Sequence, residues 1–133
     1  MRFFLFLALL ALAGCDSDAR RLAYTGPADY AFTLRVSCFC VFTGPIRVTV
    51  DDGAVVSAVA LEDPEGVPQE VIDQTALTLY ELTELANRAA READDVSVQY
   101  DPAYGFPTEL SIDWIAEAAD DEATYTATDF EPR

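Results

Sequence analysis

The chain has 133 residues, with 8 Lys plus Arg against 24 Asp plus Glu and no His, so its formal net charge is −16 at pH 7. This acidity excludes nucleic acid as a partner, because a phosphate backbone repels so negative a surface. Because the sequence has no His, Ser–His and Cys–His catalysis and the common His-based metal triads are excluded. It also contains no Lys, which excludes Schiff-base chemistry. We therefore predict no catalytic residue, no cofactor and no metal site.

The first 14 residues have the pattern of an export signal. One basic residue, Arg2, precedes an apolar run over residues 3–13, and small residues follow at the junction. A helix of this run would be roughly 16 Å long, about half of a ~30 Å hydrocarbon core. The run is thus too short for an ordinary transmembrane span, and residues 1–14 are predicted to be a signal peptide.

The junction Leu12-Ala13-Gly14-Cys15 resembles the lipobox of bacterial lipoproteins. The resemblance implies that Cys15 is lipidated and becomes the first residue of the mature chain. Several acyl chains on one residue would anchor the protein stably to a membrane. Residues 15–29 are predicted to be a polar, lipidated tether with a reach of roughly 20 Å. We expect a location in the cell envelope, with the protein facing the periplasm or the exterior.

Three strands are predicted next. Residues 30–38 alternate between apolar and polar side chains, as in a half-buried strand, and residues 46–50 repeat the pattern. Asp52-Gly53 is a tight hairpin signal, and residues 54–61 form the third strand. The same acidic turn could suggest calcium, but the ligand spacing of a calcium loop is missing.

One helix is predicted after a loop over residues 62–75. Thr78 and Glu81 fit a capping box, and Leu77 with Leu82 fits the hydrophobic staple around it. The apolar side chains that follow recur at helical spacing and predict one buried stripe: Leu82, Leu85, Ala86, Ala89 and Ala93.

Three more strands are predicted, over residues 96–100, 110–114 and 123–130, with a rigid turn at residues 101–107. Short connections favour antiparallel neighbours. The sequence therefore predicts a single α+β domain over residues 30–133. Its architecture would be one antiparallel sheet of about six strands, in the order βββ-α-βββ, with one helix packed on one face.

Two cysteines remain once Cys15 carries lipid. Cys38 and Cys40 would lie in an oxidising compartment, which permits a disulfide. On an extended strand their Cα atoms would be roughly 6.6 Å apart, at the far edge of the disulfide range, so a local bend is required. Three interpretations stay open: a local disulfide or two buried thiols, a reactive redox pair, and a soft-metal site.

Two other groups are candidate functional residues. Asp113 with Asp121 or Glu122 could form a carboxylate pair for acid–base work, although acids at strand ends and turns usually face solvent. Tyr104 and Phe106 lie in the rigid turn. They could contact a ligand, or they could fold back over the open end of the core.

The segments YAFTLRVSCFC, GPIRVTVDDGAVVSA, LTLYELTELANRA, VQYDPAYGFPTELSID and ADDEATYTATDF occur in the order seen in a group of small bacterial lipoproteins. That group is a domain family of unknown function, and the resemblance covers about residues 24–130. It implies a lipoprotein with an α+β domain, and it implies no catalytic residue.

The functional hypothesis is a membrane-anchored binding or interaction module of the cell envelope. Its partners would be the membrane, through the lipid, and an unknown envelope protein or small ligand. The alternative is a redox-active envelope protein that uses Cys38 and Cys40 as a dithiol–disulfide pair.

Overall fold

The computed structural model describes residues 21–133, which form one antiparallel six-stranded sheet and two helices. In chain order the elements are β1 (Tyr30–Cys38), β2 (Pro45–Asp51), β3 (Ala54–Ala60), α1 (Gln69–Thr75), α2 (Leu79–Glu92), β4 (Asp95–Tyr100), β5 (Pro107–Asp113) and β6 (Glu122–Pro132). The predicted α+β fold with a single sheet is confirmed.

The strand order across the sheet is β3-β2-β1-β6-β5-β4. Each half of the chain forms a three-stranded meander, and the two meanders join where β1 pairs with β6 in the centre of the sheet. The first and last strands of the domain are therefore neighbours. The two edges of the sheet are β3 and β4, the strands that lie next to the helices in sequence.

The hydrophobic core lies between the helices and one face of the sheet. Alternate residues of β1 point towards the helices, and the register places them beside the apolar residues of β2 on one side and of β6 on the other. These β1 residues are Tyr30, Phe32, Leu34 and Val36, all of them buried. The apolar residues that alternate along the sequence of β1 thus all lie on the face of the sheet that forms the core.

The opposite face of the sheet is polar, and no helix of the described chain covers it. It carries Arg35 and Ser37 from β1, with Thr124 and Thr126 beside them on β6. Ser111 of β5 and Thr124 lie next to each other, and their hydroxyl oxygens are 3.0 Å apart. Hydroxyl groups at these positions allow the face to meet water without burying unsatisfied polar groups.

Helix α2 begins as predicted. The Thr78 side chain accepts a hydrogen bond from the Glu81 amide (3.1 Å), and the Glu81 carboxylate accepts one from the Thr78 amide (2.8 Å). The buried Tyr30 hydroxyl accepts from the Leu79 amide (2.9 Å), so another free donor of the first turn is satisfied from within the core. The capping box predicted at Thr78 and Glu81 is confirmed.

The prediction of a single helix is wrong, because residues 69–75, expected in a loop, form α1. This helix has no side-chain cap, and only Ile72 is buried among its residues. Gln69 donates a hydrogen bond to the Ala58 carbonyl of β3 (2.9 Å) and another to Asp73 (2.8 Å). A seven-residue helix without caps depends on tertiary contacts, and these contacts are invisible in a local pattern.

The expected tether is also corrected over the part that the structure describes. Residues 21–29, here called the strap, lie against the domain. Asn87 of α2 donates to the Leu22 carbonyl (2.8 Å) and accepts from the Leu22 amide (2.9 Å). The Thr25 amide donates to the Tyr104 carbonyl (2.9 Å). Cys15, residues 1–14 and residues 16–20 lie outside the described residues.

Within residues 21–133, neither helix has the length and apolar character needed to cross a membrane.

Candidate functional site

The structure joins Cys38 and Cys40 in a disulfide at the end of β1. Their Cα atoms are 5.2 Å apart, well within the usual disulfide range. The backbone leaves the extended conformation after Cys38, and this supplies the local bend that the C-x-C spacing requires. A disulfide leaves neither sulfur as a thiolate for a soft metal.

The disulfide lies at the surface. Cys38 packs partly against the core and Cys40 is exposed. The side chain of Phe39 between them is 86% exposed. A shallow depression of about 240 Å³ adjoins the bond, lined by Ser37 and Thr124 among others. A reductant in solution would therefore meet little steric obstruction at Cys40.

Tyr104 and Phe106 belong to the turn between β4 and β5. The Asp101 side chain accepts hydrogen bonds from the Ala103 amide (2.9 Å) and the Tyr104 amide (2.8 Å), which makes the turn rigid. Gly105 has φ +78°, and a Cβ there would clash with the strap carbonyl of Ala23. Glycine is therefore required both by the backbone conformation and by the close approach of the strap.

The two aromatic side chains of this turn pack onto the core. Phe106 is 2% exposed, and its ring centroid lies 5.3 Å from that of Phe130. Tyr104 lies 5.4 Å from the same ring, while Tyr24 of the strap contacts Phe106 and Tyr30. These residues close the open end of the core, and Phe106 is too buried to contact a ligand.

Burial also affects the tyrosines of this cluster. The pKa of Tyr24 is raised above its ordinary value by burial first, and then by the neighbouring Tyr30 and Tyr104. Burial raises the pKa of Tyr30 as well, although the hydrogen bond from the Leu79 amide opposes the change. The phenol groups are therefore held in their neutral form.

The candidate carboxylates lie on the polar face at one corner of the sheet. Asp113 of β5 is directly opposite Asp95 of β4 on one side and Glu122 of β6 on the other. The structure therefore places three carboxylates in a row, of which the sequence pointed to two. One oxygen of Asp113 and both oxygens of Asp121 are buried without a hydrogen-bond partner.

This row does not meet the arrangement expected of a metal centre. Among residues 21–133, no group of three His, Cys, Asp or Glu side chains is arranged to hold a metal ion. The depression beside the row, about 270 Å³, is lined by hydroxyl groups of Ser97, Ser111 and Thr124.

The acidic hairpin between β2 and β3 is a turn, as predicted. Asp52 and Gly53 have φ +51° and +75°, the conformation of a two-residue hairpin loop. The Asp29 side chain accepts from the Asp52 amide (2.7 Å), and Asp51 pairs with Arg133 (2.7 Å). These carboxylates have structural partners within the domain.

Two grooves flank α2, and the sequence did not reveal either of them. The first, about 290 Å³, lies between α2, the strap and β4. The second, about 550 Å³, is open to solvent and lies between α2 and β6, with Leu85, Arg88 and Tyr125 in its lining.

Arg88 of the second groove interacts with two aromatic side chains. Its guanidinium lies 5.2 Å from the centre of the Trp114 ring, a cation–π distance. Burial raises the pKa of Tyr125, and Arg88 opposes that shift.

The only sequence signal for the first groove is the spacing of Ala86 and Ala90 on one side of α2. Residues four positions apart lie on the same side of a helix, and two small side chains there leave space between the helix and the neighbouring element. The strap and β4, which form the other walls, are far away in sequence, so the groove exists only in the folded chain.

The fold and these surfaces define a single-sheet α+β domain with helices on one face, a polar opposite face and a surface disulfide. Residues 18–132 match DUF6174, a family of unknown function, and the chain belongs to that family. The resemblance to an uncharacterised domain family is thereby confirmed. No curated protein and no solved structure matches the chain.

Proposed function

We propose that this protein is a lipid-anchored binding module of the bacterial cell envelope. The observation that carries the proposal is the short distance between two features: the lipobox ends at Cys15, and the strap is in contact with the domain from Arg21 onwards. The chain between them spans at most about 20 Å when fully extended. Such an arrangement would hold the domain beside the membrane surface.

The strap supports this proposal because it fixes the point at which the chain leaves the domain. Arg21 pairs with Glu84 of α2 (3.1 Å), and Leu22 is held by Asn87. With a lipid on Cys15, α2 and the β4 edge would be the parts of the domain nearest the attachment point. The grooves on both sides of α2 give the module surfaces with which to bind a partner.

Mass spectrometry of the protein isolated from its natural membranes tests the anchor. We expect a mature chain that begins at Cys15 and carries diacylglyceryl and acyl groups. The Cys15→Ala variant should move from the membrane fraction to the soluble fraction. An intact Met1, or an unmodified thiol at position 15, would contradict the proposal.

Proximity crosslinking in intact membranes tests the binding role. We expect the lipidated protein to capture a reproducible envelope partner. The Cys15→Ala variant, which has the same domain but no anchor, serves as the control for membrane placement. Recovery of background proteins alone would count against a binding module.

A second candidate function is redox chemistry, favoured by the exposure of Cys40 in a disulfide that spans one residue. Reduction would take up two electrons and two protons and would release the Cys38 and Cys40 thiols. Equilibration with glutathione buffers followed by alkylation would measure the reduction potential. A value below about −300 mV would mark a structural disulfide and eliminate this candidate.

A further inference from the structure

Strand β4 is an open edge of the sheet. Five of its six residues are exposed, and it contains no proline. Its only irregularity is a register shift at the last step, between Gln99 and Tyr100. An edge strand presents backbone N–H and C=O groups without partners, and these can pair with a strand from another chain.

The other edge, β3, is partly closed. The Gln69 side chain of α1 donates to the backbone carbonyl of Ala58 (2.9 Å). Ala58 and Ala60 are buried beneath the helical layer. Five of the seven β3 residues are exposed, so the contact with α1 is confined to the end of the strand. The two edges of the sheet therefore differ, because α1 occupies a backbone carbonyl of β3 while β4 has a groove beside it.

This groove lies between α2 and β4 and has an apolar lining. Ala86 and Ala90 leave space in the groove because their side chains are small, and Val96, Val98 and Leu22 supply its walls. Val98 is 39% exposed and Tyr100 is 50% exposed, which is unusual for apolar side chains on the helix-covered face of a sheet. An extended strand alongside β4 would place every second side chain into this space.

The charges on the other face of β4 are negative. Asp95 points to the polar face, in line with Asp113 and Glu122 on the next two strands. Asp94 precedes the strand, whereas Asp101 follows it and lines the groove. Arg21, the one cation in the lining of the groove, is paired with Glu84. A strand added beside β4 would thus meet Asp95 on the face opposite to the groove and Asp101 at one end of the groove.

We infer that β4 and the groove beside it bind an extended segment of a partner protein in which apolar and basic residues alternate. The segment adds to the sheet as a seventh strand, with apolar side chains in the groove and Arg or Lys side chains beside Asp95. Backbone hydrogen bonds supply affinity, and the two-residue period supplies specificity. This inference deepens the proposed binding function and rests on it.

A seven-residue peptide of alternating arginine and valine, capped at both ends, is the probe. Its affinity for the purified full-length protein is measured by calorimetry, and amide hydrogen exchange locates the contact. We expect new protection in β4 and none in β3. A peptide of the same composition with the valines in one block should bind about tenfold more weakly, and so should an alternating glutamate–valine peptide.

Two variants test the groove and the charge. Ala90→Gln fills the groove from an exposed helix position without removing core volume, and it should weaken peptide binding about tenfold. Ala118→Gln, the same change at an exposed site away from the groove, should bind like the parent. Asp95→Asn should weaken the basic peptide but not an alternating serine–valine peptide.

Equal affinity for the block peptide would overturn the inference, because attraction between charges alone would then account for binding. Protection outside β4, unchanged binding by Ala90→Gln, or a dimer formed through β4 without peptide would overturn it as well. A mass measurement on the same sample reports whether Cys15 is lipidated. The mass measurement therefore tests the anchor, while calorimetry and hydrogen exchange test the peptide site, and a failure of one can be distinguished from a failure of the other.

Discussion

Single residues in this protein often serve two elements at once. Asn87 is buried and exchanges two hydrogen bonds with the Leu22 backbone, so it attaches the strap to α2. Tyr30 packs in the core while its hydroxyl caps the Leu79 amide. Neither role can be read from the sequence, because each partner lies about fifty residues or more away.

The raised pKa of the partly buried Tyr24 predicts a loss of stability in alkali. Because the pKa of Tyr24 is raised in the folded chain, the unfolded chain loses its proton first as pH rises above about 10. The stabilising contribution is complete below that pH and is lost as pH rises towards the folded-state pKa. Because the Tyr24 side chain is only partly buried, solvent screens the effect and the decline is shallower than the full linkage slope for one proton. Urea unfolding between pH 8 and 11 measures this loss.

Tyr24→Phe should make the alkaline decline shallower. At neutral pH this variant should lose about 1 kcal/mol, because the hydroxyl donates to the Pro27 carbonyl (2.7 Å). Tyr80→Phe removes an exposed hydroxyl and should follow the pH curve of the parent. A Tyr24→Phe curve parallel to that of the parent would contradict this account.

The disulfide should contribute little to stability. A bond between Cys38 and Cys40 closes a very small loop, which in the chain-entropy estimate is worth about 1.5 kcal/mol. The Cys38→Ser/Cys40→Ser double variant should therefore fold and lose about that much, as measured by chemical denaturation. A loss of about 4 kcal/mol or more would show that the bend at the end of β1 holds the core together.

Elements with strong local signals were predicted, and elements without them were not. The capping box of α2 and the alternating pattern of β1 are written in neighbouring residues, and both elements begin where the sequence indicated. Helix α1 has no cap and only one buried residue, Ile72. Its contacts with the rest of the domain are the packing of Ile72 in the core and the hydrogen bond from Gln69 to the Ala58 carbonyl of β3, and both are tertiary contacts.

Strands β4, β5 and β6 carry an unfavourable arrangement of like charges. Asp113 lies between Asp95 and Glu122 in register, and directly opposed like charges destabilise a sheet. Asp113→Asn should therefore raise the free energy of unfolding at pH 7 by about 0.2–1 kcal/mol. At low pH, where carboxyl groups are neutral, the variant and the parent should have equal stability.

Glu109→Gln is the matched control for this prediction, because it changes the same strand. Glu109 lies opposite Gln99 and Thr126, which carry no charge, so this variant should remain close to the parent. A destabilised Asp113→Asn protein would indicate that the carboxylate makes a favourable contact in solution.

At the scale of the whole molecule, the helices cover one face of the sheet and the strap closes one end of the core. Tyr24 packs against Tyr30 and Phe106, and the strap backbone bonds to α2 and to the Tyr104 carbonyl. Within the described residues the folded unit therefore includes the strap from Arg21 onwards, and does not begin at Tyr30 as the sequence suggested. The segment expected to be a tether is part of the domain.

Truncation tests this boundary. A chain that begins at residue 21 should unfold with nearly the same free energy as the mature protein. A chain that begins at residue 30 should lose at least about 2 kcal/mol, because it lacks the burial of Tyr24 and the hydrogen bonds of Leu22. Equal stability of the two chains in urea would restore the tether interpretation.

The sequence by itself determined the features that depend on neighbours along the chain: six alternating strands, the start of α2, the turn at Asp52-Gly53 and the single-sheet α+β architecture. It also pointed to the family. Hydrophobic periodicity and capping chemistry are local, so a short window contains them.

Only the tertiary structure decided which strands lie at the edges, where the strap lies, and which acids stand side by side. Strand order depends on long-range pairing such as that of β1 with β6, and many pairings are compatible with the same alternating pattern. The groove beside β4 arises from the strap, α2 and β4 together. No segment of the sequence contains it, because its walls become neighbours only when the chain folds.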